Sequence, residues 1–227
     1  MQKLLIVYLI LVFVHTVLLA QNKPPANPDP HRFDKEINAF IMYDQKNSFP
    51  ENAILFVGSS SIRMWKTHLA FPEFPVINRG FGGAHISDVL FFYDQIVKKY
   101  QPQIIVFYAG DNDIAAGKPV DQVVSDFKKF VQKVKSDLPS IRIIYLPIKP
   151  SILRWKFWPA MDKANQIIKS ICLQDELLEY IDTAGALLAA GGQPDKNLFI
   201  SDGLHLNAKG YQKWNAILLP VLQKKYK

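Results

Sequence analysis

From residue 53 onward, short continuous apolar runs alternate with stretches in which apolar residues recur every three or four positions. The runs "AILFV" (53–57), "PVIN" (75–78), "IIVFYA" (104–109), "RIIYLP" (142–147) and the shorter "EYID" (179–182) have the length and branching of buried strands. Helical patterns fill the gaps near 61–70, 86–99, 121–137 and 160–177, with a last helix near 208–225. In "DQVVSDFKKFVQKVKSDL", Val123, Val124, Phe127, Phe130, Val131 and Val134 fall on one stripe with lysines opposite. Strands that are apolar throughout need cover on both faces, and the intervening helices supply it. With right-handed crossovers, the pattern predicts an α/β fold, a three-layer α/β/α sandwich around a central parallel five-stranded sheet. The expected domain runs from residue 33 to 227, with no internal repeat and no low-complexity tract.

The start of the chain is different in kind. Lys3 precedes an uncharged run from Leu4 to Ala20, broken only by Tyr8, His15 and Thr16, and a polar "QNKPPANPDP" follows. This reads as a signal peptide over residues 1–20 and a linker over 21–32. Leu18, third before the expected cut, departs from the usual small residue, so membrane anchoring by residues 4–20 is the alternative. No cysteine stands near Ala20, which argues against a lipoprotein.

Cys172 is the one cysteine, which excludes an intrachain disulfide and a cysteine-based metal site. An exported protein without disulfides fits a bacterial periplasmic or secreted enzyme. The formal charge of +7 comes from dispersed lysines such as Lys98, Lys99, Lys128, Lys129, Lys133 and Lys135. On amphipathic helices these are solvated faces, so no nucleic-acid partner is expected. Nor is a stable membrane partner expected unless the N-terminal segment is retained.

In an open parallel sheet, ligands sit at the carboxyl ends of the strands. Four polar clusters fall there: Gly58-Ser59-Ser60-Ser61, "NRGFGG" (78–83), "GDND" (110–113) and "SDGLH" (201–205). Each has a plain reading. Serines cap helices, glycines make tight turns, Asn and Asp favour corners, and Asp202 can cap the helix after it. Each also has a chemical one. One of the serines can be a nucleophile, and Asp202, three residues before His205, can orient the imidazole as a base. The N–H groups of "GFGG" and the Asn112 amide can donate to an oxyanion. Asp111 and Asp113 suggest a metal only weakly, because no histidine lies at ligand spacing.

The order of the four blocks, from Ile54 to Tyr211, resembles the SGNH hydrolases, also called GDSL esterases. The resemblance implies a flavodoxin-like sandwich and a cofactor-free esterase. It assigns the nucleophile to Ser60, the third residue of the block Gly58-Ser59-Ser60, and completes a triad with Asp202 and His205. The oxyanion donors it implies are the Ser60 N–H, the Gly83 N–H and the Asn112 side chain. Ser59 stands where the family motif has aspartate. The α/β-hydrolase elbow does not fit, since Ile62 occupies the place of its glycine. Among the family's substrates, a small acyl ester on a carbohydrate is expected, the segment "PSILRWKFWPAMDKAN" (150–165) offering Trp155, Phe157 and Trp158 for stacking. The alternatives are a lysophospholipase or platelet-activating-factor-acetylhydrolase-like lipid esterase, and a catalytically inactive binding module.

Overall fold

A computed structural model describes residues 27–226. The expected signal peptide (1–20) and the first part of the linker lie outside the described residues. Among the described residues, no helix is long and apolar enough to cross a membrane.

In chain order the elements are α1 (Asp34–Lys46), β1 (Ile54–Gly58), α2 (Ser60–Arg63), α3 (Thr67–Ala70), β2 (Val76–Gly80), α4 (Ile86–Phe91) and α5 (Tyr93–Ile96). There follow β3 (Ile104–Tyr108), α6 (Asp111–Ala115), α7 (Val120–Asp137), β4 (Arg142–Tyr145), α8 (Trp158–Cys172), β5 (Leu178–Tyr180) and α9 (Ala208–Lys225). The five strands are all parallel, in the order β2-β1-β3-β4-β5.

The strands are apolar on both faces because each face has its own core. Leu55, Val57, Ile105, Phe107, Ile143 and Tyr145 point to a core closed by α1, α4, α5, α7 and α8. Their neighbours Ile54, Phe56, Ile104, Val106 and Ile144 point the other way, to a core closed by α2 and α9. The stripe expected on α7 is the buried one.

Two helical patterns are interrupted. The stretch 61–70 becomes α2 and α3, because Asn78 Nδ2 donates to the carbonyls of Ile62 (2.7 Å) and Trp65 (3.1 Å). A side chain from β2 thus satisfies carbonyls that helix continuation would have used. The stretch 86–99 leaves helical geometry at Phe92 (φ −92°, ψ 12°) and continues as α5 and a 3-10 turn, Lys98–Tyr100. The pattern of 160–177 ends as helix at Cys172, where an Asp175 turn leads into β5. Helix α1 gave little sequence signal, because only Ile37 on it is fully buried. It is tied down instead by Asp44, which pairs with Arg79 at 2.5 Å and Lys99 at 2.7 Å.

The strand order reverses between β1 and β3. Crossovers leave in opposite directions there and open a crevice at the carboxyl ends of those two strands.

Candidate active site

The site begins with a glycine that nothing else can replace. Gly58 ends β1 at φ +140°, and a Cβ there would stand 1.8 Å from the carbonyl oxygen of Tyr108 on β3. This close approach lets the Ser59 N–H donate to that oxygen at 3.0 Å as the chain turns into α2. Ser59 takes the N-cap position, but its side chain makes no capping bond, and its Oγ is buried without a partner. Ser60 is the first helical residue. Its Oγ lies 2.9 Å from His205 Nε2.

His205 comes from the far end of the chain. Its Nδ1 is 2.6 Å from Asp202 Oδ2, while Asp202 Oδ1 accepts the backbone N–H groups of Leu204 (2.8 Å) and His205 (2.9 Å). A carboxylate can only accept, so the imidazole proton sits on Nδ1 and Nε2 faces the serine as an acceptor. Burial pushes the Asp202 carboxyl up, but the bonds from the His205 ring and the two backbone N–H groups outweigh it and hold the group down at about 2. The loop is closed by the Ile200 N–H on the His205 carbonyl (2.9 Å) and the Leu153 N–H on the Gly203 carbonyl (3.0 Å).

Opposite stands Asn112, the second residue of α6. Its Nδ2 donates to the Ala84 carbonyl at 3.0 Å, and its Oδ1 accepts from Arg154 Nη2 at 2.9 Å. A guanidinium can only donate, so Arg154 fixes which way the amide points and leaves one Nδ2 proton for the cleft. Arg154 Nη1 is itself 3.0 Å from Asp111 Oδ2, and Lys149 Nζ reaches that same oxygen at 3.3 Å. Burial alone would raise Asp111, but the Lys149 and Arg154 charges more than reverse it and hold the carboxyl below its ordinary range. Gly83, at φ +80°, has open space where a Cβ would project.

Ser60, Gly83, Asn112 and His205 therefore line one cleft of about 240 Å³, together with Arg63, Gly82, Arg154 and Leu204, while Asp202 stands behind His205. Arg63, Arg154 and the buried Lys149 were not singled out from the sequence. Arg154 is 42 positions from Asn112, and no local spacing reports such a contact.

The two acids flanking Asn112 do not converge. Asp111 faces Lys149 and Arg154, whereas Asp113 accepts from Lys118 Nζ at 2.8 Å and from the Ile86 N–H. The aromatic segment also lies differently from the expectation. Trp155 and Trp158 stack on each other at 6.0 Å, Phe157 and Trp158 pack against the α7–α8 core, and none of the three lines the cleft.

The profile of the GDSL-like Lipase/Acylhydrolase family matches residues 60–213, more than half of the chain. Among curated relatives, the human isoamyl acetate-hydrolyzing esterase 1 homolog is 25% identical over 173 residues, covering 66% of this chain and 69% of its own. Human platelet-activating factor acetylhydrolase IB subunit alpha1 is 24% identical over 180 residues, covering 74% of this chain and 73% of its own. A GDSL-like lipase from Bacteroides thetaiotaomicron shares the fold at a TM-score of 0.72 and 18% identity, over 83% of this chain and 97% of that one. A variant of Axe2, an acetyl-xylooligosaccharide esterase from Geobacillus, does so at 0.61 and 15%, over 77% and 95%. An open five-stranded parallel sheet that places a serine, a histidine and an aspartate in contact at its switch point is suited to acyl-ester hydrolysis. The chain belongs to the GDSL-like lipase/acylhydrolase family.

Proposed function

We propose that this protein is an exported serine esterase that removes a small acyl group, acetyl first of all, from a carbohydrate ester. The observation that carries the chemistry is the contact series Ser60 Oγ, His205 Nε2, His205 Nδ1, Asp202 Oδ2 at 2.9 and 2.6 Å. His205 takes the proton of Ser60 as Oγ bonds to the ester carbonyl carbon. The resulting oxyanion lies among the Ser60 N–H, the Gly83 N–H and the free Nδ2 proton of Asn112. Collapse of this intermediate breaks the ester bond, and His205 gives its proton to the departing alcohol. Water then repeats the sequence on the acyl-serine, again through His205, and regenerates the enzyme.

The small acyl group follows from the cleft. Among the described residues its one aliphatic side chain is Leu204. Each CH₂ of an acyl chain is worth about 0.8 kcal/mol only where apolar walls receive it. The isoamyl acetate esterase, the platelet-activating factor acetylhydrolase and the acetyl-xylooligosaccharide esterase all carry the acetyl group in their names. The carbohydrate half rests on the last of these. Export rests on residues 1–20.

A second reading, a lipid esterase, is favoured by a larger apolar groove of about 570 Å³ lined by Met64, Trp65, Leu69, Ile200, Leu206 and Tyr211. Met64 follows Arg63 in sequence and Leu206 follows His205, so the groove runs beside the cleft. A series of p-nitrophenyl esters separates the two. The expected kcat/KM is greatest for acetate or butyrate and falls steeply by octanoate; a rise through decanoate would place the chain in the groove and favour the lipid.

A further inference from the structure

Among the described residues, those lining the cleft include two guanidiniums and an imidazole, and no carboxylate. The two arginines are in different situations. Arg154 is engaged, with Asn112 Oδ1 on one nitrogen and Asp111 Oδ2 on the other. Arg63, one helical turn after Ser60, forms no ion pair and no side-chain hydrogen bond among the described residues. The residue is exposed, and its guanidinium packs over Gly82. A Cβ on Gly82 would meet Arg63 Nη1 at 2.5 Å, Cζ at 2.7 Å and Nη2 at 2.9 Å. Three nearly equal distances mean that the planar group lies flat on Gly82, the residue before Gly83. A guanidinium fork thus lies at the mouth of the cleft, and its donors have no protein partner among the described residues.

A guanidinium fork matches a carboxylate or a phosphate, each of which offers two acceptor oxygens in one plane. We propose that Arg63 forms an anion subsite, and that the natural ester carries a carboxylate or phosphate on its alcohol half. The inference rests on the serine-esterase reading above. The alcohol half is the one that reaches Arg63, because a small acyl group has no room for an ionised substituent. The formal charge of +7 on the chain adds a favourable long-range field for such a substrate.

The test compares phenyl acetate, 4-acetoxybenzoate and 4-acetoxyphenyl phosphate, each rate corrected for the ester's own reactivity with hydroxide. A charge-assisted contact of this kind predicts that the wild type prefers one or both anionic esters by about tenfold to a hundredfold in kcat/KM. The preference should lie chiefly in KM and shrink with added salt. In Arg63→Gln the ratio of anionic to neutral ester should collapse toward one. Which anion is preferred identifies the carboxylate or the phosphate as the natural group. A wild type that treats charged and neutral esters alike, or a preference that survives Arg63→Gln, overturns the subsite.

A binding measurement keeps this separate from catalysis. Ser60→Ala is titrated calorimetrically with the same three esters, with and without Arg63→Gln. Tighter binding of an anionic ester that depends on Arg63 supports the subsite even if the wild type hydrolyses none of them, in which case the esterase reading alone fails. Equal binding of all three overturns the subsite.

Discussion

Two loops bring polar groups to the cleft, and they are built in opposite ways. The turn at 110–113 is largely buried, and each of its side chains is anchored by a charge outside the turn: Asp111 by Lys149 and Arg154, Asn112 by Arg154, and Asp113 by Lys118, five positions on. The loop at 200–205 lies at the surface, with the Asp202 side chain 40% exposed, and its ion pair and Asp202 contacts are made within its own few residues. The difference follows the chemistry assigned to each side. An oxyanion donor is effective only if it is aimed before the charge develops, because a dipole that must reorient spends the energy it would contribute. A base must reach first one partner and then another, so the local Asp202 contacts need only keep its tautomer and its general direction.

The sharpest way to break the comparison is to remove the atom both sides serve. Ser60→Ala should lower kcat on p-nitrophenyl acetate by on the order of 10⁶, and a fluorophosphonate probe should label Ser60 in the wild type. Ser59→Ala should keep a substantial part of the activity, since its buried Oγ has no partner to lose. An adduct on Ser59 or Ser61 would show that the nucleophile lies elsewhere in the run.

On the base side, Asp202→Asn should cost on the order of 10⁴ in kcat by presenting the wrong His205 tautomer to Ser60. On the oxyanion side, Asn112→Ala should lower kcat by roughly 10² to 10³ with KM little changed. If Asn112→Ala stays within a few-fold of wild type, the residue is a corner of the turn and no more.

Arg154 tests whether the buried side aims its donor. Arg154→Ala should lower kcat by about tenfold through Asn112, and Arg154→Lys should restore part of it. The cycle is decisive: Asn112→Ala/Arg154→Ala should be no slower than Asn112→Ala alone, because a positioning residue has nothing left to position. Additive losses would mean that Arg154 acts on the substrate directly.

The smallest expected effect concerns acid. His85 follows Ala84, whose carbonyl holds Asn112, and burial, with Lys118 and Arg32 adding to it, lowers its imidazole from 6.5 to about 4. The folded state therefore resists a proton that the unfolded chain accepts. The resulting stability is fully present above about pH 6.5 and is lost as the pH falls toward 4. At about 1.4 kcal/mol per pH unit, the loss is bounded at roughly 3 kcal/mol. Urea unfolding at stepped pH should show this decline, and His85→Gln should flatten it. Asp202, held at about 2, stays ionised throughout this range and adds nothing to the decline.

Legibility divides along the same line. The strands, α7, α9 and the four polar clusters were readable because continuous apolar runs, a helical stripe and short polar stretches after strands are all recorded in adjacent residues. Their order along the chain pointed to Ser60, Gly83, Asn112, Asp202 and His205 together, and the fold gathers all five around one crevice. Asp202 with His205 is a contact over three positions, and local spacing could announce it. The break between α2 and α3 could not be read, because the group that ends the helix is Asn78 on another strand. Arg154 was hidden inside an aromatic stretch, and its bond to Asn112 spans 42 positions. The same holds for Lys149 against Asp111, and for the aromatic pair that stacks on itself outside the cleft lining. A sequence records what a residue can do with its neighbours in the chain. Which distant charge is buried against it is decided by the crossing of strands and helices, since only the packed fold removes the water that would otherwise screen the pair.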